Sequence, residues 1–454
     1  MIYNKPFCSI IVLNYFGEKV IKKTIESLNE LNYPKKLYEI IIVDNASKDK
    51  SRLILERLKK NYNNIKLIYL EKNLGFAGGN NPGMKEAKGK YVILLNNDCV
   101  VENNWLIELV KTAEKNKKIF AVGAKINLYP AFINIPFHFT TNQQIKKIAI
   151  TKTNLLEFTN EKEMQITYSL FPNKCILKIP FDQSYDEIIE IDIESKHTEK
   201  NKFKNNIKIG SQFAKYIKDI KIKRNGKNVK YKISLILNKK LEKCYFSEIQ
   251  NYGSLIFQDG YGRDIGAIVR YQSQNYEIDK NQYYIEVERY AACGASVLYR
   301  KSILNEIGYL DDNSFMYYED VDICERARLY GYITVYNHKA VARHLHALSS
   351  KEWSPFFIYH TEKGRLLHVF YNFPLRIFFF EFFGFALKSV GQLLKGFKEI
   401  KKWSKNIQYI KISIYFLFNM PFLFLRRQQK HKFINKNAIE ENYQKILEGY
   451  WYFN

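Results

Sequence analysis

The sequence predicts an α/β fold with a mostly parallel, helix-covered sheet at its start, and three observations predict it. Apolar runs of strand length end abruptly in polar clusters, runs with helical spacing separate them, and the clusters carry acidic and amide side chains. The sharpest case is Tyr91 to Val101, YVILLNNDCVV, where Asn96, Asn97 and Asp98 cut an apolar run. A buried parallel strand ending this way delivers a carboxylate to the carboxyl edge of an open sheet, where such folds bind ligands. A turn-forming Asn-Asn-Asp serves any loop equally well, so the triplet gains meaning only from what converges on it.

In chain order, Phe7 to Leu13 is a β-branched strand followed by the polar loop Asn14 to Gly17. Ile21, Ile25, Leu28 and Leu31 recur at helical spacing until Asn32-Tyr33-Pro34 stops the helix. Glu39 to Val43 is a second strand ending in Asp44-Asn45-Ala46-Ser47, then a helix runs through Leu58 and a third strand covers Ile65 to Leu70. The loop Glu71 to Gly79 leads into a helix near Asn80 to Ala87, and the Tyr91 strand follows. Trp105, Leu106, Leu109 and Val110 mark the next helix, and Ile119 to Gly123 a fifth strand.

From Asn127 to about Phe246 the chain turns Lys/Asn/Ile-rich, with alternating runs such as Ile188 to Ile193 and Tyr231 to Leu237. This stretch reads as an antiparallel β insertion without a catalytic constellation. Tyr283 to Arg300 then reads as strand, turn and strand, and the acidic cluster in FMYYEDVDICERARLY (Phe315 to Tyr330) opens a helix. A strand through Tyr336 leads to AVARHLH, which ends at His344 and His346. Near the end, Ile377 to Leu387 and Ile412 to Leu425 are strongly apolar, fall short of the ~20 residues of a membrane span and are flanked by Lys and Arg. Such helices fit the interface of an anionic bilayer, attached without a full span, with packing on a protein surface as the alternative.

The 454 residues allow two or three domains, expected at 1–126, 127–250, 251–350 and 351–454 if the two halves of one split domain are counted separately. Net charge +25 predicts anionic partners. The charge is dispersed and no nucleic-acid-binding motif is present, so nucleic acid is not among them. Six scattered cysteines fit free thiols in a reducing cytosol, and the N-terminus has no charged region before a long apolar one, so no signal peptide is expected. The expected location is the cytoplasm, peripherally at the inner face of the cell membrane.

Several positions could carry chemistry. Asp44 can accept from a nucleobase N–H or a ribose hydroxyl, and Asp98 can ligate a hard divalent cation. Glu319, Asp320 and Asp322 crowd a helix start, where the helix dipole favours acids by roughly 0.3–1 kcal/mol each. Their mutual repulsion can also raise one pKa towards that of a general base. In the stretch Asn73-Leu74-Gly75-Phe76-Ala77-Gly78-Gly79-Asn80-Asn81, glycines allow close approach to a ligand, and the following helix offers N–H groups to negative charge. No Gly-Lys-Ser/Thr follows, so this is not a Walker A loop.

The order VDNAS (Val43 to Ser47), NLGFAGGNN, LLNND (Leu94 to Asp98), GAS (Gly294 to Ser296) and YYEDVDICERARLYGY (Tyr317 to Tyr332), closed by A-V-A-R-H, resembles glycosyltransferase family 2, and within it the rhamnosyltransferase-like branch of bacterial surface-polysaccharide enzymes. The resemblance covers about residues 7–125 and 251–372. It implies a GT-A fold, a UDP- or dTDP-sugar donor, Mn2+ or Mg2+, inversion at the anomeric carbon, and a glycan or polyprenyl-diphosphate-linked acceptor. Residue by residue, it implies that Asp44 reads the nucleobase and that Asp98 binds metal, with Asn96 where the family's D-x-D element often has its first Asp. It further implies that His344 completes the metal site and that Asp320, in the Glu319–Asp320 pair, is the catalytic base. Asn14, Asn73, Gly75, Gly78, Gly79 and Asn80 are expected beside the donor. Two other classes remain open: a nucleotidyltransferase making a sugar nucleotide, and a non-catalytic membrane- or polyanion-binding protein.

Overall fold

β-branched runs buried on both faces form the centre of a twelve-stranded sheet. The computed structural model describes residues 5–129, strands alone between 130 and 244, then 245–270, 273–345, 353–398 and 403–446. His346 lies outside the described residues. The chain divides into two units, one of Met1–Leu128 with Ile249–Asn454 and one of Tyr129–Glu248.

In the first unit β1 (Cys8–Asn14), β2 (Tyr38–Asp44), β3 (Ile65–Tyr69) and β4 (Tyr91–Asn96) run parallel in the order β3-β2-β1-β4. The strand Ser296–Arg300 inserts antiparallel between β4 and β6 (Ile119–Leu128). Pairing sets Asn14 opposite Asp44 and Leu13 opposite Asn96, so β1, β2 and β4 end level. The chain leaves β1 towards β2 and β3, then returns to β4 on its other side. That reversal opens the crevice at which open α/β sheets take ligands.

Alternate side chains of the strands feed two cores. Ile10, Val12, Ile40 and Ile42 pack against α1 (Ile21–Asn29), α2 (Ser51–Asn61) and α4 (Trp105–Glu114). Ile11, Val43, Val92 and Leu94 pack on the side of α3 (Gly75–Glu86), α5 (Lys301–Ile307) and α6 (Glu319–Leu329). Helix α3 begins five residues before its expected start near Asn80, so the glycines lie inside it rather than in a loop. Sheet packing explains two of them: a Cβ on Gly79 would meet Leu13 Cδ1 at 2.6 Å, and one on Gly83 would meet Ile11 Cγ2 at 2.7 Å. A short strand β5 (Cys99–Val101) follows the Asn-Asn-Asp turn and pairs with the long strand Ile333–His344.

The C-terminal part is helical, with α7 (Pro355–Asn372), α8 (Leu375–Lys398), α9 (Trp403–Lys430) and α10 (Lys436–Gln444). Phe378 and Phe385 of α8 meet Phe416 and Tyr409 of α9 on their inner faces. Their outer faces leave Phe380, Phe383, Leu387, Leu417, Phe418 and Leu425 exposed. The helices run beyond the apolar cores visible in sequence, and 20 and 28 of their residues are long and apolar enough for a span by length and composition. In the second unit, Glu187–His197 pairs antiparallel with Asn228–Leu237 and Gln143–Lys152, and Ala131–Phe139 pairs antiparallel with Lys174–Phe181.

Candidate active site

Three loops at the carboxyl ends of β1, β2 and β4 are tied by one buried amide. Asn14 donates through Nδ2 to Asp44 Oδ1 at 2.9 Å and accepts at Oδ1 from Asn97 Nδ2 at 3.2 Å. Asp44 is fully buried, and its Oδ2 accepts from Arg52 Nε at 2.7 Å and Ser47 N at 3.2 Å. Arg52 is half-exposed and stacks over the Tyr69 ring at 5.2 Å, so an ion pair with one outward member closes this end of the crevice.

Asn45 clamps the turn before α3. Its Nδ2 donates to Asn73 Oδ1 at 2.8 Å and Gly75 O at 3.1 Å, and its Oδ1 accepts from Leu74 N at 2.9 Å. Gly75 sits at φ +74°, a conformation in which a side chain is strained. Phe315 O accepts from Phe76 N at 2.5 Å and from Ala77 N at 3.4 Å, so the first turn of α3 is held by the segment leading to the Glu319–Asp320 pair. Gly78 backs onto Leu74, and Asn80 Nδ2 bonds its own helix at Phe76 O, 2.9 Å away.

Across the crevice, antiparallel pairing sets His344 opposite Cys99, beside Asp98. His344 Nε2 lies 3.0 Å from Asp98 Oδ1 and 3.3 Å from Asn96 Nδ2, while Nδ1 lies 2.8 Å from Gln250 Oε1. A proton on Nδ1, donated to Gln250, turns the Nε2 lone pair towards Asp98. Carboxylate and imidazole then form a two-donor set that fits a cation taking oxygen and nitrogen. The Cys99 sulfur lies within the same 4.8 Å group. Burial beside Asp98 pushes its thiol well up, and Sγ faces Ala295 O at 3.7 Å, which leaves it a poor ligand for a hard ion.

Gly294-Ala295-Ser296 joins this side to the acids. Ala295 O accepts from Asn96 N at 3.0 Å, and Gly294 N donates to Asp320 Oδ2 at 2.8 Å. Asp320 Oδ1 accepts from Val321 N at 2.8 Å, and the protein packed around it raises its pKa despite both bonds. Glu319 is buried and also raised, first by burial and then by the charge of Asp320. Phe315, Tyr317 and Tyr318 all have φ between 55° and 71°, so the chain enters α6 through a left-handed run. Such conformations are sparsely populated for bulky residues and persist where surrounding contacts impose them.

The predicted residues thus fall into one cluster of Asn14, Asp44, Asn73 and Gly75, a second of Asn96, Asp98 and His344, and the acids reached through Gly294. Gly79 and Asn80 face the sheet and their own helix instead. Sequence reading missed four participants. Asn45 stood inside a quoted motif, and Arg52 is a helix arginine with no distinguishing neighbour. Gln250 lies in the short strand Glu248–Asn251, which pairs with β6. Asp264 accepts from Ser254 Oγ at 3.0 Å and is pushed up to about 6 by burial, with Asp320 adding to the rise.

Residues 9–169 match Glycosyl transferase family 2. The chain is 27% identical over 177 residues to the glycosyltransferase AglE of Haloferax volcanii, an alignment covering 38% of this chain and 58% of that one. It is 33% identical over 116 residues to the poly(ribitol-phosphate) beta-glucosyltransferase of Bacillus spizizenii, covering 25% of this chain and 18% of that one. The chain therefore spans little more than half the length of the first relative and under a fifth of the second. Among solved structures, the mannosyltransferase PcManGT from Pyrobaculum calidifontis, in complex with GDP-Man and Mn2+, matches at 11% identity and TM-score 0.43, covering 92% of this chain and 88% of that one.

Proposed function

We propose that the chain transfers a sugar from a UDP- or dTDP-activated donor to a hydroxyl of a glycan or polyprenyl-diphosphate-linked acceptor, a reading supported by the match of residues 9–169 to Glycosyl transferase family 2. The transfer inverts the anomeric carbon and serves cell-surface polysaccharide synthesis; rhamnose is proposed only from the family branch that the motifs resemble. The observation that carries this reading is the Gly294 bridge, which puts the Asp98–His344 pair and the Asp320 carboxylate on two sides of one backbone turn.

Asp320 takes the proton of the acceptor hydroxyl as its oxygen attacks the anomeric carbon. The bond from that carbon to the diphosphate breaks, and its electron pair leaves with the nucleoside diphosphate. A divalent cation, Mn2+ or Mg2+, on Asp98 and His344 would supply Lewis-acid stabilisation of the leaving group. Asp44 with Arg52 lines the base end, and Asn45 holds the turn at Gly75 beside it. The names of the relatives support the class, since one glycosylates a ribitol-phosphate polymer. The exposed apolar faces of α8 and α9, with Lys388, Lys405 and Lys411 exposed on the same helices, support attachment to an anionic membrane surface.

The test is nucleoside diphosphate release from a panel of UDP-, dTDP- and GDP-sugars, dTDP-rhamnose included, with Mn2+, Mg2+ or EDTA and with membrane extract as acceptor source. Release from one donor, lost in EDTA, is the expected result, and Mn2+ binding followed by its paramagnetic resonance signal should be lost in Asp98→Ala. Silence across the panel with extract present would overturn the reading. Release that survives EDTA would remove the metal from it.

A further inference from the structure

The C-terminal end of α9 reaches into the acid-bearing helix. Lys430 Nζ lies 2.7 Å from Asp311 Oδ2 and 3.1 Å from Asp322 Oδ1, and Arg426 Nη1 lies 2.6 Å from Asp311 Oδ1. Both carboxylates are almost wholly buried, and Asp322 is further held by Arg326 at 2.7 Å and Asn372 at 3.0 Å. Asp322 stands in the first turn of α6, two residues after Asp320. Asp311 belongs to the segment that Asn81 of α3 grips, with Asn81 Nδ2 donating to Leu310 O at 2.9 Å and Asp312 Oδ1 at 3.1 Å. One lysine thus touches the supports of both the glycine-rich helix and the acid-bearing one.

The outward face of α9 is apolar. Helix α9 shares an inner face with α8, and the pair turns Phe380, Phe383, Leu417, Phe418 and Leu425 outward. Exposed Lys388, Lys405 and Lys411 on the same two helices make an anionic lipid surface the occupant that the charge favours over a neutral apolar partner. Burial would push Asp322 up, yet Lys430 first and Arg326 next hold it well below the usual carboxylate range, so Lys430 interacts with the ionised form.

We propose that Lys430 is a positioning residue, through which seating of the α8–α9 pair on an anionic bilayer orders the α6 turn that presents Asp320. The role assigned to Asp320 rests on the proposed transferase reading; the ordering itself does not. The test is therefore hydrogen–deuterium exchange over residues 311–329 in full-length protein, with and without vesicles of phosphatidylglycerol and phosphatidylcholine. Vesicles should slow exchange there in wild type and in Lys430→Arg. In Lys430→Met they should still bind but leave exchange unchanged. With a donor in hand, Lys430→Met should lower kcat by roughly 10- to 100-fold with little change in donor KM, as expected of a misplaced catalytic group. A Lys430→Met protein that vesicles protect as fully as wild type, or a wild type that does not bind vesicles or is not protected by them, overturns the proposal. Should Lys430→Met not fold, Lys430→Gln is the milder variant, since Arg426 still pairs with Asp311 and the amide can still donate. Silence of the donor panel with intact exchange behaviour would instead fault the transferase reading.

Discussion

Replacing Gly75 by alanine should destabilise the protein through both its backbone conformation and its contact with Phe315. The backbone at φ +74° costs about 1–2 kcal/mol for a residue with a Cβ. The new Cβ would lie 2.3 Å from Phe315 O and 2.6 Å from the Phe315 ring. Phe315 cannot simply turn away, because its own φ is 55° and its carbonyl holds Phe76 N at 2.5 Å. Relief requires a backbone shift, and overpacking of this kind costs about 1–3 kcal/mol. The total, about 2–5 kcal/mol, is a large part of the 5–15 kcal/mol that holds a typical domain. Gly331 provides the control: its φ is +84°, but a Cβ there meets nothing within 4 Å, so Gly331→Ala should lose about 1–2 kcal/mol from the backbone alone. Urea denaturation followed by fluorescence, at unchanged slope, gives both values. A Gly75→Ala loss indistinguishable from that of Gly331→Ala would refute the claim that Phe315 and α3 are locked together.

Asp320→Asn should reduce turnover by roughly 100- to 10,000-fold, the usual worth of a general base. Its melting temperature should change little, because loss of the buried charge is offset: only one of the two backbone N–H groups that Asp320 accepts from, those of Gly294 and Val321, still finds an oxygen on the amide. The stability of the wild type should also depend on pH in the sense set by Glu319. Its pKa is raised on folding, so its contribution is complete below the unfolded carboxyl value and is lost as pH rises through the folded one. Thermal melts at a series of pH values should show that loss between the unfolded carboxyl range and about 8 in wild type, and a flatter profile in Glu319→Gln.

The parallel core was legible because its strands are buried on both faces and each ends in a polar cluster, so length and composition alone distinguish them from helices. The positions of Asp44, Asp98, Asp320 and His344 at element ends were legible for the same reason. Two kinds of information were not. The glycines of Asn73 to Asn81 read as a loop because glycine is a poor helix former, yet Gly79 and Gly83 are required by the closeness of α3 to Leu13 and Ile11. Partners distant in sequence were also invisible: Gln250 acts on His344 from 94 residues away, and Lys430 on Asp322 from 108. The second case has a physical reason to use charge. The contacts between α8 and α9 are mostly aromatic and aliphatic, with a buried Ser389–Ser413 pair among them, and apolar contacts alone leave a helix free to slide or rotate at little cost. A lysine and an arginine set between buried carboxylates do not tolerate such a shift, since moving by one turn would strand an ionised group without its partner. The charged end therefore specifies the register of α9, and with it the position of the helix that carries Asp320.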